Sequence, residues 1–61
     1  MKIPRFMKEY ANYAKKAIAN SALMEETIKE KLSEKVDQAL QLVARGMITV
    51  DEGMKMIANG L

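Results

Sequence analysis

The amino-acid sequence predicts a small all-α domain built from three helices. Apolar residues recur at spacings of three and four along most of the chain, Pro4 is the only proline, and the first glycine is Gly46. The chain has 61 residues, of which 49% are hydrophobic and 30% are charged, a balance typical of globular proteins. We therefore expect one domain over residues 1–61, with helices over about 4–20, 22–45 and 50–59.

The first predicted helix is amphipathic. Pro4 suits a first helical turn, because its missing N–H would have no intrahelical partner there. Its apolar stripe follows helical spacing and contains Ile3, Met7, Tyr10, Ala14 and Ala17, widened by Phe6, Tyr13 and Ile18. Most charged residues of this segment fall on the other side, so we expect the stripe to face the core or an interface.

The end of the first helix has two interpretations. The apolar register continues through Met24 and Ile28, which would make one long helix. Asn20 and Ser21 favour a break instead, because asparagine tolerates left-handed backbone and serine is a good N-cap. We expect the break, with the second helix beginning near Ala22.

The second predicted helix has the strongest pattern. Its apolar stripe contains Ile28, Leu32, Val36, Ala39, Leu40 and Val43. Glu25 and Lys29 are spaced for a favourable ion pair on its surface. Gly46 follows its last turn, at the position where a left-handed residue commonly ends a helix.

A capping box predicts the start of the third helix. Thr49 can accept a hydrogen bond from the Glu52 N–H, and the Glu52 carboxylate can accept one from the Thr49 N–H. Apolar residues at helical spacing are expected to point inward, namely Val50, Met54, Ile57 and Leu61. Gly53 inside this helix is unfavourable by about 1 kcal/mol relative to alanine, so we expect it to allow close approach to the second helix.

The C-terminal segment resembles a known helical hairpin. Residues 39–58 are similar to the short C-terminal domain (SHOCT) family, which places a Gly-Ile-Ile-Thr-x-Glu-Glu turn between two small helices. The similarity covers about a third of the chain and rests on four turn residues, Gly46, Ile48, Thr49 and Glu52. It departs at Gly53, where the family has a bulky residue. The resemblance implies an oligomerisation or interaction element rather than an enzyme.

Histidine and cysteine are both absent from the sequence. Without them there is no imidazole to activate a hydroxyl nucleophile, no thiolate and no soft metal ligand. The glycines are too far apart to form a phosphate-binding loop. We therefore expect a protein that is not an enzyme and that has no catalytic, cofactor or metal site.

The charge is unevenly distributed. Residues 1–20 contain five basic residues and one acidic residue, a net charge of +4, whereas residues 21–61 contain five basic and seven acidic residues, a net charge of −2. The basic side of the first helix is a candidate face for an anion such as nucleic acid, and it contains Lys2, Arg5, Lys8, Lys15 and Lys16. The same helix is a weaker candidate for lying on an anionic membrane surface. The alternative, which we favour, is an ordinary solvated face that acidic residues of the second helix neutralise.

A protein partner is the expected source of additional stability. A chain this short buries only about 60% of the surface of its unfolded form. Small natural domains usually add disulfides, a metal or oligomerisation, but this chain has no cysteine or histidine and its acidic residues show no calcium-loop spacing. The alternative is a domain that folds alone, as many domains of about 55–65 residues do. We expect a cytoplasmic interaction or regulatory module that forms a homo-oligomer or docks on a larger protein. Its candidate interface contains aromatic and methionine side chains, Phe6, Tyr10, Tyr13, Met54 and Met56.

Overall fold

The computed structural model describes residues 3–60 and confirms the all-α fold class. Three helices follow one another, α1 (Arg5–Ala19), α2 (Glu26–Ala44) and α3 (Val50–Asn59), and the described residues include no strand. Helix α2 packs extensively against both other helices, whereas α1 and α3 contact each other less. Leu61 and Lys2, for which we predicted an inward and a basic-face position, lie outside the described residues.

The predicted break between α1 and α2 is confirmed, but α2 begins at Glu26 and not near Ala22. The Ser21 N–H donates to the carbonyl of Ile18 at 3.2 Å, so Ser21 completes the end of α1 and does not cap α2. The N-cap of α2 is Glu25, which makes no side-chain capping bond. A linker of irregular backbone therefore separates the two helices.

Lys29 ties the two helices together across this linker. Its Nζ donates to the carbonyl oxygen of Ala19 at 3.2 Å, at the C-terminus of α1 where the helix dipole favours a cation. The predicted ion pair with Glu25 is not formed. Lys29 Nζ instead lies 3.6 Å from Glu26 Oε1, one turn away on the same helix. Because Lys29 also binds the end of α1, its ion pair is with Glu26 and not with Glu25, the partner that local spacing predicts.

The connection between α2 and α3 has the predicted local structure. Gly46 has a φ of 74°, and its N–H donates to the carbonyl of Val43 at 2.9 Å. The Met47 N–H donates to the carbonyl of Leu42 at 2.9 Å, which completes a Schellman motif. The predicted capping box forms at the start of α3. The Glu52 N–H donates to Thr49 Oγ1 at 3.1 Å, and the Thr49 N–H donates to Glu52 Oε1 at 3.2 Å.

The core is small and rich in alanine. Its fully buried apolar residues come from all three helices, Met7, Ala11, Ala14, Ile18, Val36, Ala39, Val43 and Ile57. Gly53 provides the predicted close approach to α2, and it also meets α1. A Cβ atom at this position would lie 2.5 Å from Met7 Cε and 2.6 Å from Val43 Cγ2.

The buried face of α1 is rotated from the predicted stripe. Ala11 is buried, whereas Phe6, Tyr13 and Ala17 are exposed and Tyr10 is half-buried. Small side chains allow two helices to approach closely, so the alanine side of α1 packs inward and the aromatic side turns away. Ile28, which belongs to the predicted apolar stripe of α2, is also exposed. The last turn of α3 lies beside Lys35 and Gln38, so α3 ends before it reaches the turn of α2 that contains Ile28.

Candidate interaction surface on the first helix

Three aromatic side chains form one stripe along α1, which we call the aromatic stripe: Phe6, Tyr10 and Tyr13. Phe6 is 59% exposed and Tyr13 is 65% exposed, while Tyr10 is half-buried and packs against the core. Phe6 and Tyr13 are seven residues apart, which is close to two helical turns, so both lie on the same face. The stripe is therefore a continuous apolar surface with one edge anchored in the core.

The stripe lies on the side of α1 away from α2. Lys15 forms an ion pair with Asp37, which places α2 next to Lys15. Tyr13 is two residues before Lys15, and two residues correspond to a rotation of about 200° around a helix. The exposed aromatic rings are thus on the flank that no part of α2 covers.

The two methionines of the predicted interface do not share one surface. Met54 and Met56 are both half-buried and pack against the core. Because they are two residues apart they lie on opposite sides of α3, and Met56 borders a hollow of about 250 Å³ together with Lys35 and Gln38 of α2. Met54 is therefore on the side of α3 that turns away from this hollow.

The predicted basic face is only partly available for an anion. Arg5 Nε donates to Glu9 Oε1 at 3.2 Å, and Lys15 is paired with Asp37. Lys8 and Lys16 are exposed and form no ion pair with any other described residue. Among the basic-face residues that the structure describes, α2 therefore neutralises Lys15 alone.

Acidic residues of α2 line an open groove of about 370 Å³ beside the end of α1. The groove is lined by Ala19, Glu26, Lys29, Glu30, Ser33, Glu34 and Asp37. Over residues 3–60 the structure has no group of histidine, cysteine or carboxylate side chains able to hold a metal ion. None of the three described helices is both long enough and apolar enough to cross a membrane.

Two exposed apolar residues in the connections were not predicted to be exposed. Leu23 is 98% exposed in the linker between α1 and α2, and Met47 is 66% exposed in the Schellman motif. Leu23 lies outside both helices, so no helical periodicity brings it inward.

No family model, curated protein or solved structure matches this chain. The similarity of residues 39–58 to the short C-terminal domain family thus stays a prediction, although both turn features on which it depends are present in the structure.

Proposed function

We propose that this chain is a small, non-enzymatic interaction module of the cytoplasm that binds protein, a second copy or a larger partner, through the aromatic stripe. One observation supports this proposal above the others. The only phenylalanine and one of the two tyrosines are exposed on one helix face, while smaller side chains fill the core. Aromatic side chains in the centre of an interface commonly contribute most of its binding energy.

The position of the stripe adds a physical reason. Tyr10 anchors its inner edge in the core, so the outer rings extend from a rigid helix and lose little conformational freedom on binding. The two methionines of α3 that we predicted to belong to the interface do not share one surface. Met56 borders the hollow next to α2, and Met54 is on the opposite side of α3.

Nucleic-acid binding through the basic face is the second candidate. It relies on Lys8 and Lys16, which are exposed and have no carboxylate partner among the described residues. Two other cations of that face are already paired with carboxylates. We therefore rank a protein partner above a polyanion, and membrane attachment below both.

Site-specific photo-crosslinking in the cells that produce the protein tests the proposal. A photoreactive phenylalanine analogue replaces Tyr13 in the full chain, and the matched control places it at Lys8, which is exposed on a different side of α1. We expect a discrete protein adduct from position 13 and none from position 8. Equal labelling at the two positions, or an adduct with nucleic acid or lipid only, would overturn the proposal.

A further inference from the structure

The aromatic stripe belongs to a heptad pattern that continues beyond it. Phe6, Tyr10, Tyr13 and Ala17 of α1 are spaced by four, three and four residues, which is the pattern of the a and d positions of a coiled coil. Tyr10 is half-buried, while the other three are exposed. These residues, which we call the seam, have the spacing of a helix-pairing surface and differ from the residues of α1 that build the core.

The two flanks of this seam differ. On one side, Met7 and Ala14 follow the seam residues directly in sequence and are fully buried within the domain. On the other side, Glu9 and Lys16 precede Tyr10 and Ala17 and are exposed to solvent. Only one flank can thus contribute charges to a partner helix, and along it a negative charge is followed, two turns later, by a positive one.

We infer that the aromatic stripe binds a second copy of this chain, with the two α1 helices antiparallel. The inference rests on the proposed function and names the partner for the same surface. In this arrangement Tyr10 lies against Tyr13 of the second copy, and Phe6 lies over the small side chain of Ala17 of the second copy. Each large ring thus meets either an aromatic neighbour or the space above an exposed alanine.

Charge complementarity favours the antiparallel orientation. The antiparallel pair places Glu9 near Lys16 of the second copy, and its twofold symmetry repeats this contact. A parallel pair would instead place this charged flank beside the Met7 and Ala14 flank of the second copy, which carries no charge and is buried within its own domain. Arg5 already donates to Glu9 within its own helix, so the Glu9 carboxylate would accept from both cations.

The remaining charges of α1 do not oppose this pairing. Lys8 and Lys15 lie on the side of the helix away from the seam, and Lys15 is neutralised by Asp37. Helix α1 has 15 residues, so the seam is about 22 Å long. An interface of this length is smaller than that of stable dimers, and we expect a dissociation constant above about 1 μM.

Charge reversal at the flank tests the pairing. Sedimentation equilibrium on the full chain gives the dimer dissociation constant for the wild type, Glu9→Lys, Lys16→Glu and the double variant. We expect each single variant to dimerise about tenfold more weakly, because it replaces two attractive contacts with two repulsive ones, and the double variant to return towards the wild-type value. A double variant as weak as the single variants would overturn the arrangement, as would a wild-type chain that is monomeric at millimolar concentration.

Engineered cysteines test the orientation, because the natural chain has none. Glu9→Cys and Lys16→Cys chains of distinguishable mass are mixed in a glutathione redox buffer, and the disulfide-linked species are quantified. An antiparallel pair predicts an excess of the mixed Glu9→Cys/Lys16→Cys disulfide over the statistical proportion. Statistical proportions, as expected from random collision, would contradict the inference, and so would an excess of the two symmetric disulfides. Lys8→Cys mixed with either chain is the matched control and should give statistical proportions.

Photo-crosslinking at position 13 separates this inference from the proposed function. If the adduct contains a different protein and the purified chain stays monomeric, the surface is an interaction site but the second copy is not its partner. If position 13 gives no adduct in cells and the purified chain is monomeric, both proposals fail.

Discussion

The two connections between the helices differ in how they satisfy the helix ends. Between α2 and α3, a Schellman motif and a capping box satisfy the backbone groups of both helix ends within a few residues. Between α1 and α2, the N-cap Glu25 makes no side-chain capping bond and Leu23 is 98% exposed. The α2–α3 hairpin is therefore specified by local hydrogen bonds, whereas α1 is held by contacts between residues distant in sequence, namely the packing of one face, the Lys29–Ala19 hydrogen bond and the Lys15–Asp37 ion pair.

The same contrast separates the two faces of α1. Its alanine-rich face supplies half of the buried apolar residues, Met7, Ala11, Ala14 and Ile18. The other face of α1 exposes Phe6, the only phenylalanine of the chain. Substitutions in the hairpin core should therefore lower stability, and substitutions in the aromatic stripe should lower binding without lowering the stability of the monomer.

The largest expected effect is on the core side of this comparison. Ile57 is 1% exposed, and Ile57→Ala should lower the free energy of unfolding by about 2–5 kcal/mol, because it leaves a cavity between the helices. The matched control Phe6→Ala also removes a large apolar side chain, but from an exposed position, and should change the free energy by no more than about 0.5 kcal/mol. Urea denaturation at a concentration too low for association measures both. Equal losses would show that the stripe is part of the core.

A smaller effect is expected where α3 meets the other two helices. Gly53→Ala gains helix propensity worth about 1 kcal/mol but places a methyl group against Met7 and Val43, and such overpacking costs about 1–3 kcal/mol. We expect a net loss of up to about 2 kcal/mol. Val43→Ala removes one of the two obstructing side chains, so the double variant should lose less than the sum of the single variants. Additive losses in thermal or urea unfolding would mean that the two positions do not touch.

The smallest effect compares a cap that is used with one that is not. Thr49→Ala removes the hydrogen bond from the Glu52 N–H and should lower the free energy of unfolding by about 1 kcal/mol. Ser21→Ala removes a residue that the sequence predicts to be an N-cap, but in the structure α2 starts at Glu26, so the change should be below about 0.5 kcal/mol. A larger loss from Ser21→Ala than from Thr49→Ala would reverse the contrast between the two connections.

The features that could be predicted from the sequence are those with local causes. The C-terminus of α2 depends on Gly46, and the N-terminus of α3 depends on Thr49 and Glu52. The hydrogen bonds of both join residues only a few positions apart. The three helices followed from the same kind of signal, together with the apolar period.

The start of α2 and the rotation of α1 could not be predicted in the same way. The apolar arc of α1 is wide, and periodicity alone does not decide whether Ala11 or Tyr13 faces inward. The close approach of α1 to α2 decides it, because only the alanine side fits. Likewise Lys29 reaches the carbonyl of Ala19, a contact between residues ten positions apart that no local pattern shows.

The candidate surface was predicted as residue types but not as geometry. Phe6 and Tyr13 were expected to be core or interface anchors, and their exposure favours the interface. Met54 and Met56 were both placed in the candidate interface, but they are two residues apart and therefore lie on opposite sides of α3. Only the packing of α3 against α2 shows that Met56 borders the hollow beside α2.

Sedimentation equilibrium of the wild type beside Tyr13→Glu tests the central claim most directly, over micromolar to millimolar concentrations and with circular dichroism to verify that both are helical. A carboxylate in the middle of the aromatic stripe would be buried in the dimer without a partner, while in the monomer it remains in water. We predict that the wild-type mass rises with concentration towards twice 6.9 kDa and that Tyr13→Glu stays at the monomer mass. Identical mass profiles for the two chains would contradict the account.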